Sequence, residues 1–230
     1  MKTVAILQSN YIPWKGYFDL IARVDEFILF DDMQFTKRDW RNRNKIKTTS
    51  GLKWLTVPVI TKGKYTQKIF ETMILDHSWA DQHWNAFLHN YKSSDYFSEV
   101  LAILEPVYKN PVAFKTISEL NSCLISLICR YLKIDTLISS SSGYTLSPGK
   151  TQKLVDLCLQ SNATHYLSGP SAKDYIDPTL FQGKNIDLTW MDYDGYPEYQ
   201  QLWGAFEHNV SIIDLLFNCG PLSSNYLKYV

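Results

Sequence analysis

The chain has 230 residues, 45% of them hydrophobic and 20% charged, with 23 basic and 23 acidic side chains. That profile belongs to an ordinary globular protein long enough to bury its own core, and it excludes disorder. The neutral balance gives no overall reason to expect nucleic acid or an anionic membrane surface as a partner.

Val4 to Leu7 is a short apolar run closed by Gln8, the pattern of a buried strand. Gln8, Ser9 and Asn10 also end that run too early for a secretory signal. No segment approaches the ~20 apolar residues of a membrane span, so a cytoplasmic setting is expected. After Gly16, the spacing of Tyr17, Leu20, Ile21 and Val24 predicts a helix. Phe27 to Phe30 predicts a second strand, parallel to the first across that helix. Trp54 to Ile60 reads as a strand bounded by Gly51 and by the turn at Lys62-Gly63-Lys64, with Lys68 to Leu75 as a pairing candidate.

The middle of the chain is helical. Trp84, Phe87, Leu88 and Tyr91 mark one helix; Val100, Leu101 and Leu104 mark another that Pro106 should kink or end. Asn110-Pro111 has the form of a helix start, leading into the stripe Phe114, Ile117, Leu120, Leu124, Leu127, Ile128, Tyr131. Alternation then returns. Strands are expected at Ile134–Ile138, Tyr166-Leu167 and Ile186–Met191, with a helix capped by Thr151 and a last one capped by Ser211. Asp214 is placed to close a capping box with Ser211.

The expected fold class is therefore α/β: a mostly parallel, Rossmann-like sheet with flanking helices and a helical middle segment. It forms one domain over residues 1–230, within which about 79–133 marks a helical subdomain. Cys123, Cys129, Cys158 and Cys219 show no CxxC spacing and lie in or beside apolar helical stretches, which reads as buried thiols.

The stretch from Asp31 to Lys47 is the densest in polar and aromatic residues. Six cations from Lys37 to Lys47 face one anion, Asp39, so this segment carries +5 within a chain of zero net charge. Following a predicted strand, it sits where open α/β sheets gather ligands. Lys37, Arg41 and Arg43 suit an anionic group; Gln34, Asn42 and Asn44 suit hydroxyls; Trp40 suits a ring. A solvated loop of weak surface ion pairs is the competing reading. The loop from Gln8 to Gly16 occupies a phosphate-binding position without a GxGxxG or P-loop pattern. Tyr11 and Trp14 there line a pocket or pack as an aromatic turn.

His83, at the edge of an apolar helical stripe, is a candidate general base or a hydrogen-bonded boundary residue. No histidine spacing suggests a metal. The serines of Ser139–Ser142, and Ser168-Gly169-Pro170-Ser171 with Lys173, offer hydroxyls to a phosphate.

Three strings carry a resemblance: Gln8-x-x-Tyr11-x-Pro13-Trp14-x-Gly16-Tyr17-Phe18, Asp31-Asp32-x-Gln34-Phe35-x-Lys37-x-x-Trp40-Arg41-Asn42-Arg43-Asn44, and Trp54-Leu55-Thr56-Val57-Pro58. With later echoes at Trp79, His83, Tyr91, Tyr166–Pro170 and Ser211–Gly220, the chain resembles the WbqC-like family. These are bacterial proteins associated with O-antigen and other surface-polysaccharide gene clusters. Ser9 departs from the pattern, standing where the family has Gln-Pro.

The resemblance implies an N-acyltransferase, glycyl or aminoacyl in one suggestion, acting on a nucleotide-linked amino-sugar. An activated acyl donor is implied, with no metal motif and no other cofactor specified. His83 or Asp32 would deprotonate the sugar's amine, and Ser168 would join Gln8, Tyr11, Trp14 and the residues of the cationic stretch in binding. A nucleotide-binding ligase or nucleotidyltransferase, and a non-catalytic carbohydrate-binding protein, remain the alternatives.

Overall fold

The computed structural model describes all 230 residues. Five parallel strands form its sheet: β1 (Thr3–Leu7), β2 (Glu26–Leu29), β5 (Leu137–Ser140), β6 (His165–Ser168) and β7 (Asp187–Trp190), ordered β5-β2-β1-β6-β7. This is the expected parallel α/β sheet. Its central strands read as apolar runs because both faces are covered. Side chains alternate accordingly. Val4, Ile6, Ile28 and Phe30 pack with α5 (Lys150–Gln160) and α6 (Pro178–Gln182), while Ala5, Phe27 and Leu29 belong to the larger core. That larger core holds α1 (Lys15–Ala22), α2 (Ser78–Tyr91), α3 (Phe97–Tyr108), α4 (Ile117–Tyr131) and α7 (Ile212–Cys219). No helix is long and apolar enough to cross a membrane.

Several local expectations are corrected. The stretch from Asp31 to Lys47 is a loop only in its first half. Arg43–Thr48 is strand β3, paired antiparallel with β4 (Gly51–Thr56) in a separate two-stranded sheet. A two-residue turn joins them, with Gly51 at φ 103, a backbone region that suits glycine. β4 ends at Thr56 rather than Ile60, and the segment after Lys68 meets its neighbours through single bridges, Val59 with Ile74 and Gln34 with Lys68.

Pro106 is accommodated inside α3, which runs on to Tyr108. Asn110-Pro111 opens only a short 3-10 turn; α4 begins six residues later because Thr116 and Glu119 close a reciprocal capping box. Gly149, not Thr151, caps α5, and the Thr151 hydroxyl accepts from the Asp177 amide. Ser211 does cap α7, but Asp214 turns inward, where the hydroxyls of Tyr91 and Tyr199 each donate to it at 2.8 Å.

The strand order reverses direction between β1 and β6, and ligands of open parallel sheets bind outside the carboxyl ends of strands at such a switch. Gln8, Ser9 and Asn10 leave β1 there, Asp31 and Asp32 follow β2, and Gly169 follows β6.

Candidate functional site

The loop from Gln8 to Trp14 is held from several sides. The Tyr11 amide donates to the Trp40 carbonyl at 3.0 Å. Asn44 Nδ2 donates to the carbonyls of Tyr11 and Ile12, Ser211 Oγ donates to Ile12 O, and the Ile212 amide donates to Pro13 O. These bonds fix Ile12 at φ 37, a strained value for a β-branched residue that only an over-determined surrounding maintains.

The fixed loop forms one side of a cleft of about 190 Å³, lined by Asn10, Pro13, Trp14, Trp40, Asn44 and Asn209. The two tryptophans are braced from behind. Trp14 packs on Tyr193 and Tyr196 with ring centroids 5.1 and 5.8 Å away. It also lies so close to Gly16 that a β-carbon there would sit 2.4 Å from its ring. Trp40 stacks at a tilt on Trp54, 5.5 Å away, and the Arg43 guanidinium lies 4.1 Å from the Trp54 ring centre. The cleft therefore interrupts a ladder of aromatic rings. Asn10 Oδ1 has no hydrogen-bond partner.

Ser9 and Arg41, the chain neighbours of the cleft residues Asn10 and Trp40, belong to a buried polar centre. Asp31 is buried and accepts from the Ser9 amide at 2.8 Å, from Ser9 Oγ at 2.7 Å, and from Ser118 Oγ. A proline at this position would have no N–H to give Asp31. Asn121, fully buried on α4, donates to Ser9 Oγ and to the Arg41 carbonyl, and its Oδ1 is unpartnered.

Arg41 is 8% exposed. Its nearest anion is Asp39, 3.7 Å from Nη2, and Nε and Nη1 have no partner. Burial lowers its pKa, against the pull of Asp39, Tyr17 and Asp31. A buried guanidinium without close pairing costs several kcal/mol, and it is matched best by a planar anion.

The six cations of the +5 segment do not make one patch. Arg41 is internal; Lys47 is buried, donating to Gln201 Oε1 at 2.7 Å and to the Ala205 carbonyl. Arg43 and Lys45 attend Trp54, Lys37 lies near the Tyr65 ring, and Arg38 is exposed at φ 59, its carbonyl accepting from Arg43. Asn42 donates to Val57 O, Gln34 to Tyr65 O, and Ser168 to the Tyr166 hydroxyl. The Ser139 hydroxyl donates to Glu26, and Ser140 caps its own turn. The Tyr17 hydroxyl donates to Gln8 O.

His83 is 4% exposed and does not line the cleft. Its Nδ1 meets the Tyr11 hydroxyl at 2.8 Å, and that hydroxyl meets Tyr108 at 2.7 Å. Burial pushes its pKa down to about 3, with the nearby Thr56 backbone pulling the other way. Asp32 lies between Lys68 at 2.5 Å and Lys153 at 3.3 Å. Burial opposes its ionisation, but those two lysines outweigh it and hold the carboxyl below its usual range.

Of the expected binding residues, the cleft brings together Trp14, Trp40 and Asn44. It adds Asn10, Pro13 and Asn209, and the polar centre adds Ser9, Asp31, Ser118 and Asn121. Asn121 had a signal in the sequence: an amide one residue past Leu120 and three before Leu124, inside an apolar stripe.

The chain is thus an α/β protein with a parallel sheet and a braced cleft beside the sheet's carboxyl edge. The WbqC-like protein family matches residues 8–226, and the chain belongs to that family. An uncharacterised protein of Mycobacterium tuberculosis is 55% identical over 229 residues, covering 100% of this chain and 99% of its own. No solved structure matches the chain.

Proposed function

We propose that the protein is an N-acyltransferase whose acceptor is a nucleotide-linked amino-sugar, acting in the cytoplasm in the assembly of O-antigen or another surface polysaccharide. The observation that carries this reading is the cleft itself: about 190 Å³ lined by two braced indoles and three asparagines. Sugar rings present C–H faces to indoles and hydroxyls to amides, and few other ligands need both. Arg41 adds donors for a phosphate oxygen.

In the reaction, the sugar's neutral amine attacks the carbonyl carbon of an activated acyl group, the bond to the donor's leaving group breaks with its electron pair going to that group, and the nitrogen's proton passes to the departing group. Asp32 keeps the role of an ionised carboxylate at the sheet edge. His83, with Tyr11 between it and the cleft loop, positions rather than touches substrate in this reading. Rate then comes mainly from holding amine and carbonyl together, a contribution worth ~7–11 kcal/mol in well-oriented systems.

The test is mass spectrometry of purified protein incubated with nucleotide-linked amino-sugars and activated acyl donors, aminoacyl donors included. An acylated sugar is expected, and its absence across the set overturns the reading. The weak basicity of both Asp32 and His83 favours one second reading, a carbohydrate-binding protein without catalysis, which predicts saturable sugar binding and no product.

A further inference from the structure

Asp31 and Arg41 are buried opposite charges that form no ion pair with each other; the carboxylate beside Arg41 is Asp39, 3.7 Å from Nη2 and on the half-exposed loop. Folded chains usually bring such charges into contact, because an unpaired buried charge is costly. Here each is held apart by its own hydrogen bonds. Asp31 is fastened by Ser9 and Ser118, and the main chain of Arg41 is fastened by Asn121, which also grips Ser9.

Each member retains unused capacity. A carboxylate offers about four acceptor sites, of which Asp31 uses three. Asn121 Oδ1, fully buried, is an acceptor with no donor. On the other side, Arg41 Nε and Nη1 are donors with no acceptor. The free donors are on the Arg41 guanidinium, and the free acceptors are on Asp31 and on Asn121, which Ser9 links to Asp31.

We infer that Ser9, Asp31, Arg41, Ser118 and Asn121 form a binding site for a zwitterionic group, with an ammonium on Asp31 and Asn121 Oδ1 and a carboxylate or phosphate on Arg41. An α-amino acid and an amino-sugar phosphate both carry that chemistry. The site shares Arg41 with the acyltransfer reading but does not require it.

The test is calorimetric titration of the whole protein with two matched pairs: glycine against N-acetylglycine, and glucosamine 1-phosphate against N-acetylglucosamine 1-phosphate. N-acetylation removes the ammonium and leaves the anion. In at least one pair the free amine is expected to bind ten-fold or more tightly than its N-acetyl partner, and the pair that discriminates names the source. Arg41→Gln should weaken both members of that pair, with Arg41→Lys intermediate. Asp31→Asn should erase the preference for the amine, and Asn121→Ala should reduce it if the Asp31 variant fails to fold.

Equal binding within both pairs, or no binding in either, overturns the site. Discrimination in the glycine pair alone, untouched by Trp40→Ala, would sustain the site while counting against the amino-sugar reading. Equal binding of the two sugar phosphates, with neither glycine compound discriminated, would overturn the site while leaving the sugar-binding reading standing.

Discussion

Trp40 belongs both to the cleft and, at 5.5 Å, to the stack with Trp54, and it is 41% exposed. A residue so exposed contributes little to the fold, so Trp40→Ala should leave the unfolding midpoint nearly unchanged. It should weaken sugar-nucleotide binding about ten-fold, roughly 1.4 kcal/mol, by titration. His83 makes the opposite case. Its neutral ring is bonded inside the protein, whereas in the unfolded chain it takes up a proton near its ordinary 6.5. The unfolded state therefore binds more protons between about pH 6.5 and 3, and stability falls as pH drops through that window. His83→Gln can keep the bond to Tyr11 without titrating. The stability advantage of the natural protein over this variant should shrink from pH 7 to pH 4 in denaturant titrations.

At this scale the sequence exposed the crowded segment around Trp40 but not where each side chain goes. In a strand, neighbours point to opposite sides, so Asn44 is buried against the first loop while Arg43 and Lys45 attend Trp54. A charge count cannot resolve that alternation, and it took +5 for a single patch.

Among the elements, β5 (Leu137–Ser140) begins three residues past the start of the expected Ile134–Ile138 strand and its second half is serine, whereas β1 and β2 were legible as short apolar runs. β3 was not, because Arg43-Asn44-Lys45-Ile46-Lys47-Thr48 contains one apolar residue and draws its stability from β4 and the loops it holds. The start of α4 was misplaced for a related reason. Asn110-Pro111 fits a helix start locally, yet the capping box at Thr116 and Glu119 satisfies more of the free amides. Removing the Thr116 hydroxyl should cost about 1 kcal/mol. Thr116→Ala is thus expected to lower the urea midpoint without changing the slope of the transition, and α4 carries Ser118 and Asn121 into the polar centre.

For the molecule as a whole, the irregular segment 192–210 is pinned by lysines at its carbonyls: Lys15 to Pro197, Lys47 to Ala205, and Lys228 to Asp192 and Asp194. Lys15 also sits 4.9 Å from the Tyr196 ring centre and 5.5 Å from that of Tyr199, and burial pulls its pKa down from 10.5 to about 8. Between those values the unfolded chain holds the extra proton, so this lysine makes stability rise with pH from about 8 to 10.5. Lys15→Met removes the titration. Chemical denaturation at pH 7 and pH 10 should show the natural protein gaining on the variant at the higher pH.

The position of β1 carries a consequence for how the chain is made. One edge of β1 is covered by β2 almost as soon as it is synthesised, but the other waits for β6, whose approach to the first residues spans 162 positions. Until the ribosome has delivered that distant segment, the middle of the sheet is a raw apolar rim able to recruit any passing strand. Nascent chains arrested before residue 165 are expected to engage holdase chaperones, and those released beyond the last strand to let go.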